Sequence, residues 1–181
     1  MLAATTTEST EGELALTDLD FEDSNTLRAL LRLVSRGEVP VMYYTDVDSI
    51  IDEGTWTSNL AAFLIKYECI ALSVLIRNTL LLRARCSALQ AVLAFVVGSQ
   101  YGDINYCSDA LDILWASKDI WERNCSGDLD HGIPGWPMND LRALPRAWAR
   151  RVPLDYLMVA LRADTRCAGD NFRDLMTDIS R

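Results

Sequence analysis

Between residues 24 and 116 the apolar side chains recur every three or four positions, the spacing that places them on one side of an α-helix. The first such stretch follows Asp23 and Ser24, and the side-chain oxygen of either residue can cap a helix. Gly37 favours the left-handed turn that ends a helix, and Pro40 prevents its continuation. The positions predicted to face the core are Leu27, Leu30, Leu31 and Val34.

The chain from residue 39 to residue 58 has no long apolar period. Its pattern predicts a short extended piece over 39–44, a helical turn over 46–52 and a connection over 54–58 that starts at Gly54. Thr57 or Ser58 then caps the next helix, which ends near Tyr67.

Three more helices are predicted in the centre of the chain, over about 72–80, 87–99 and 104–116. The middle one is apolar on nearly every side, so it belongs at the centre of the core. Beyond residue 124 the chain becomes rich in Gly, Pro and Asp, which indicates a long irregular connection to residue 137. Short helices are predicted over 138–151, 153–163 and 170–180.

The first residues differ from the rest in pattern. Residues 1–12 are polar without apolar period and predict a flexible tail. Leu14, Leu16 and Leu19 nearly alternate with other residues, as in a short strand. The predicted fold class is therefore mostly α (α+β), a helical array with a short N-terminal strand or small edge sheet. Residues 13–116 are predicted to form the main domain and 117–181 a C-terminal helical extension.

The order of these helices resembles the BTB/POZ domain, in its fungal version. The first helix follows the pattern Leu-x-x-Leu-Leu-x-Leu-Val-x-x-Gly from Leu27 to Gly37, the next ends in a Lys-Tyr pair at 66–67, and the third has Leu72, Ile76 and Leu80 at four-residue steps. The chain departs from the family at Ser35, where a Tyr is usual. It also lacks the opening strands and the dimer-forming helix, so the resemblance is to an N-terminally incomplete domain.

The resemblance implies a non-catalytic protein–protein interaction module, an adaptor or assembly domain. No residue pattern transfers a cullin-binding site from the family to this chain. One alternative is an unrelated all-helical regulatory or inhibitor domain. Another is a helical enzyme with a site near Asp128, Asp130 and His131.

The charge and the cysteines of the chain indicate which kind of partner it binds and which cellular compartment it occupies. The first 60 residues hold twelve acidic residues and three arginines, so they carry the whole net charge of −9. Because acidic surfaces repel phosphates, we expect protein partners, including a second copy of the chain, and no nucleic acid. Five widely spaced cysteines and the absence of a signal-peptide pattern predict an intracellular protein with free thiols. The longest apolar stretch, 60–82, contains charged residues, so no membrane association is expected.

Reaction chemistry has little support in the sequence. His131 is the one histidine and stands in a Gly-flanked, acidic stretch, where a weak cation site is conceivable but an incidental surface position is more common. No Cys-x-x-Cys, phosphate-binding loop or dinucleotide fingerprint occurs. We therefore predict no catalytic residues, no metal, no cofactor and no small-molecule substrate.

Five residues are predicted to contact a protein partner. Arg142, Arg146 and Arg150 recur every four residues and would form one basic stripe on a helix, although Pro145 interrupts it. A solvated face is the simpler reading of this stripe. Aromatic side chains often anchor interfaces, and the other two residues are Trp136 and Trp148. Trp136 lies in a Pro- and Gly-rich stretch, so it either packs the loop onto the core or stands exposed.

Overall fold

The computed structural model describes residues 22–37, 39, 47–86, 88–116, 141, 144–163 and 168–179. This part of the chain is mostly helical and contains no strand. The described helices are α1 (Ser24–Arg36), α2 (Val47–Lys66), α3 (Ile70–Ala84), α4 (Ala88–Gln100), α5 (Ile104–Ala116), α6 (Arg146–Ala149), α7 (Leu154–Ala160) and α8 (Ala168–Ile179).

Helix α1 begins and ends where its capping residues predict. The Asp23 carboxylate accepts a hydrogen bond of 2.7 Å from the Thr26 backbone N–H. Gly37 adopts φ 65°, a left-handed conformation that costs glycine little, and its N–H bonds to the Leu33 carbonyl at 2.9 Å. Both predicted ends are confirmed.

The side of α1 that enters the core differs from the predicted one. Leu33 is fully buried together with Thr26 and Ala29, whereas Leu31 and Val34 are exposed. The predicted stripe lies about 100° around the helix from the buried one, at 100° per residue. Neighbouring α2 therefore covers the edge of the apolar stripe and leaves its centre open.

Helix α2 is continuous across the segment predicted to be a turn and a connection. The prediction of a break at Gly54 is wrong, because this glycine lies within the helix and is buried. A Cβ atom at Gly54 would overlap the indole of Trp148. The glycine is thus needed for close packing against Trp148, and the helix tolerates its low helical propensity.

The Lys-Tyr pair at the end of α2 holds the beginning of α1. Lys66 and Tyr67 both donate hydrogen bonds to one carboxylate oxygen of Glu22, at 2.6 and 2.7 Å. Glu22 is buried, so its charge requires such partners. Since residue 22 precedes α1 and residues 66–67 lie at the end of α2, the two packed helices run antiparallel.

Helix α4 is the central helix, as its apolar pattern predicts. Every residue from Ala88 to Ser99 is buried, and the helix packs against α2, α3 and α5. The predicted helices over 104–116 and around 72–80 are confirmed as α5 and α3. Ile76, Leu80, Leu111 and Leu114 are fully buried.

The C-terminal helices pack onto this same core. Phe172 of α8 lies edge-on to Phe95 of α4, with ring centroids 5.8 Å apart, and also contacts Tyr156 of α7. Helix α8 docks closely on α5, where the Gly169 N–H donates a hydrogen bond of 2.8 Å to Asp112. The helices of 13–116 and of 117–181 therefore share one hydrophobic core, and the division into a domain and an extension stays a prediction.

Several predicted features lie outside the described residues. They are the tail over 1–12, the strand with Leu14, Leu16 and Leu19, and the irregular connection over 124–137. Of the extended piece predicted over 39–44 only Val39 is described, and it is buried and not in a strand. In the described part of the chain, no helix has the length and apolar character needed to span a membrane.

Candidate interaction surfaces

The most elaborate polar cluster of the described chain surrounds Arg77 on α3. Its guanidinium pairs with the carboxylate of Asp103, which lies in the turn between α4 and α5. Tyr101 and Tyr106 stand before and after Asp103 in the sequence. The centroids of their rings lie 5.3 and 4.9 Å from the guanidinium carbon. An arginine covered by aromatic faces gains a cation–π attraction in addition to its ion pair.

The same residues fix the α4–α5 turn. The second oxygen of Asp103 accepts a hydrogen bond of 3.0 Å from the Tyr106 backbone N–H and so caps α5. The Tyr106 hydroxyl donates a hydrogen bond of 2.7 Å to the Arg77 carbonyl. Asp103 and Tyr106 thus both position the start of α5, which is a structural use of the cluster.

The two tyrosine hydroxyls and the thiol near Arg77 are held in their neutral forms. Burial raises the pKa of Tyr106 and, to a smaller extent, that of Tyr101, and it raises the pKa of the Cys107 thiol well above its usual value. A nucleophile or general base needs a pKa near the working pH. These groups therefore supply hydrogen bonds and packing at neutral pH.

A second polar contact joins the C-terminal segment to α2. Arg151 donates a hydrogen bond of 2.8 Å to the Asn59 side chain, and Gln100 of α4 donates to the Ser58 hydroxyl. Both Ser58 and Asn59 are buried. These bonds satisfy polar groups on the middle of α2, beside the Gly54 position that Trp148 covers.

The structure places three of the five predicted contact residues. Trp148 is buried, and its Nε1–H donates a hydrogen bond of 3.1 Å to the Ile51 carbonyl, so α2 covers the ring. Arg146 and Arg150 are exposed one turn apart, and Pro145 begins their helix. Arg142 and Trp136 lie outside the described residues, as do Asp128, Asp130 and His131 of the alternative enzyme site. A role of these residues in partner binding stays a prediction.

Helix α1 presents an exposed apolar surface. Leu31 is 68% exposed and Val34 63% exposed, and they are three residues apart on the same side of the helix. Arg28 lies beside Leu31, and Arg32 and Arg36 follow it at four-residue steps that turn progressively away from this side; all three are exposed. We call Leu31 and Val34 the α1 surface. It adjoins a strip of arginines, an arrangement in which an apolar anchor is bordered by charge.

Helix α7 presents another exposed apolar surface, which the sequence analysis did not find. Leu154, Met158 and Leu161 are exposed at intervals of four and three residues. Tyr156, Val159 and Ala160 enter the core from the opposite side of the same helix. We call the exposed set the α7 surface. The sequence pattern that could have revealed the α7 surface is a short helix with apolar residues on both of its sides.

The neighbouring helix α8 adds exposed apolar side chains of its own. Leu175 and Ile179 are exposed and one turn apart, whereas Phe172 and Met176 of the same helix are buried. Helices α7 and α8 contact each other. The C-terminal pair of helices is therefore less fully covered than the central helices.

The described residues contain no group of three or more His, Cys, Asp or Glu side chains that could hold a metal ion. No protein-family model, curated protein or solved structure matches this chain. Its function must therefore be argued from its own surfaces.

Proposed function

We propose that the chain is a non-catalytic protein-interaction module, a BTB/POZ-like adaptor or assembly domain, that binds a protein partner through the α1 surface. The observation that carries this proposal is the exposure of Leu31 and Val34 on a helix whose other side is fixed to α2. Exposed aliphatic side chains on a well-anchored helix offer a preformed contact at little entropic cost.

The anchoring of α1 supports a docking role. Its start is held by Lys66 and Tyr67 through Glu22, and the Arg83 guanidinium donates a hydrogen bond of 3.0 Å to the Val39 carbonyl beyond its end. The helix is therefore attached to the core at both ends. A partner that binds Leu31 and Val34 meets a rigid surface and loses little ordering entropy there.

The BTB/POZ-like part of the proposal is supported by the order of elements. A helix closed at Gly37 is followed by one that ends in the Lys-Tyr pair and then by one with Ile76 and Leu80 buried four residues apart. A reducing, intracellular location fits the free thiols of Cys69, Cys86 and Cys107. The acidic net charge of −9 favours a protein partner over nucleic acid.

Site-specific photocrosslinking tests the proposal. A photoreactive amino acid is placed at Leu31 in one sample and at Arg36, an exposed position about 140° around α1 from Leu31, in the control. We expect crosslinked protein partners from position 31 in native extracts and far fewer from position 36. Equal crosslinking from both positions would contradict the proposed surface.

A variant experiment separates binding from folding. The double variant Leu31→Asp, Val34→Asp is compared with Ile179→Asp, which alters an aliphatic side chain of similar exposure on α8. We expect the α1 variant to lose the crosslinked partners while both variants keep the circular dichroism and thermal unfolding of the original chain. Retention of every partner by the α1 variant would overturn the proposal.

A further inference from the structure

The α7 surface has the composition of a helix–helix contact. Leu154 is 73% exposed, Met158 42% and Leu161 38%, and together they cover two turns. Backbone hydrogen bonds continue past the end of α7, from Leu161 to Leu157 and from Ala163 to Val159, each at 3.0 Å. The last turn after α7 therefore continues its direction as far as residue 163.

Two opposite charges border this face on the same flank. Asp155 and Arg162 are seven residues apart, which is close to two helical turns, so they lie one above the other. Both are exposed, and neither forms an ion pair with another residue in the described part of the chain. Each is available for a charge on a second molecule.

The spacing of these residues makes α7 complementary to itself. When two copies of a helix pack antiparallel about a twofold axis, each flank of one helix faces the same flank of the other. A residue before the centre of one helix then faces a residue after the centre of the other. With the twofold axis beside Met158, Leu154 of one copy lies within one residue of the position opposite Leu161 of the other. Asp155 likewise lies within one residue of the position opposite Arg162, twice in the dimer. A parallel pairing would instead bring this flank against the opposite flank of the second helix, so Asp155 and Arg162 would not meet.

We propose that a second copy of this chain covers the α7 surface, in an antiparallel dimer centred on Met158. This inference goes beyond the proposed function, because it concerns another face of the molecule and another partner. Its physical basis is the burial of an apolar stripe together with two reciprocal Asp–Arg contacts.

Sedimentation equilibrium of the full chain tests the dimer. We expect a mass twice that of the 20.3 kDa monomer at high concentration, with dissociation on dilution. Met158→Asp places two carboxylates at the twofold axis and should leave only monomer. Leu31→Asp on α1 is the matched control and should leave the dimer unchanged, and both variants should keep their circular dichroism spectra.

Charge reversal tests the register independently of the apolar contact. Asp155→Arg and Arg162→Asp should each raise the dissociation constant about tenfold, because each creates two like-charge contacts. The double variant Asp155→Arg, Arg162→Asp should return it to within about threefold of the original value. Because these side chains are exposed, the substitutions disturb the core little.

Three results would overturn the inference. The first is a monomer at every concentration, and the second is a dimer that persists in the Met158→Asp variant. The third is a double charge reversal that fails to restore the affinity of the dimer lost in the single reversals. None of these results affects partner crosslinking at Leu31, and loss of crosslinking there leaves the dimer intact. Failure of the dimer and failure of the proposed function are therefore distinguishable.

Discussion

The indole of Trp148 occupies the side of α2 at which Gly54 carries only a hydrogen atom. The Trp148 Nε1–H bonds to the Ile51 carbonyl at 3.1 Å, and the two residues are 97 positions apart in the chain. The contact therefore fastens the C-terminal segment to one of the first helices of the fold.

Gly54→Ala should destabilise the protein, although alanine is ordinarily the better helix former by about 1 kcal/mol. The added methyl group would overlap the indole, and overpacking of this kind costs about 1–3 kcal/mol. We expect the overlap to exceed the gain in helical propensity. Urea denaturation followed by circular dichroism measures the free energy of unfolding.

The removal of the indole should reverse the sign of this effect. Trp148→Ala alone should lower the free energy of unfolding by about 3–5 kcal/mol, because it leaves a large cavity. In that background Gly54→Ala no longer meets the ring and should become stabilising. The same sign in both backgrounds would show that Trp148 does not govern position 54.

The protein should lose more stability when Asp103 is replaced by alanine than when it is replaced by asparagine. Asparagine still accepts a hydrogen bond from the Tyr106 N–H and keeps the cap of α5, whereas alanine loses both the cap and the contact with Arg77. A cap contributes about 1 kcal/mol, so the two variants should differ by about that amount in chemical denaturation. Asp109→Asn alters an exposed carboxylate of α5 and serves as the control, with a change of less than about 0.5 kcal/mol. Equal losses from Ala and Asn would contradict the capping role.

The raised pKa of Tyr156 should make the stability of the protein fall at alkaline pH. Burial, with smaller effects of Cys107 and of nearby carboxylates, raises the pKa of Tyr156 to about 12. Below the ordinary tyrosine pKa of about 10 both states keep the proton and the full stability is present. Above that pH the unfolded chain loses a proton that the folded chain retains, so stability falls as the pH rises towards 12.

The variant Tyr156→Phe removes the titrating hydroxyl group and keeps the aromatic ring. Its free energy of unfolding should match that of the original chain to within about 0.5 kcal/mol at pH 7 and should fall less steeply above pH 10. Denaturation curves from pH 7 to 11.5 provide the measurement. Parallel curves for the two proteins would rule out a raised pKa at this position.

The described thiols should react in the order of their exposure. Cys86 is exposed, Cys69 is partly buried and Cys107 is buried beside Phe95. Burial also raises the pKa of Cys107, which lowers the fraction of reactive thiolate. With a maleimide and peptide mass mapping, we expect Cys86 to be labelled first and Cys107 only in denaturant. Rapid labelling of Cys107 in the native protein would contradict its place in the core.

Local signals predicted most of the helical fold. Asp23 and Gly37 act within a few residues of the helix that they delimit, and the apolar run of α4 has no polar side that could face water. Such features depend on backbone and solvent alone. They can therefore be recognised without knowledge of the partner elements.

Features that depend on distant residues could not be predicted. Gly54 looks like a helix breaker until Trp148 is known to lie on it. Leu31 looks like a core residue until α2 is found to pack on the side of Leu33. The Arg77–Asp103 pair joins two helices through residues 26 positions apart, and no periodicity marks it. In each case the deciding neighbour is brought close only by the tertiary fold.

The long separation between Ile51 and Trp148 has a consequence for biosynthesis. While the ribosome is still making the C-terminal third, the groove beside Gly54 stays empty and the polar middle of α2 stays without Arg151. A nascent chain that has completed α5 therefore still leaves this side of α2 uncovered. The core can close only after the residues around 148–176 have been synthesised and have left the ribosome, so this molecule gains its full stability late in its synthesis.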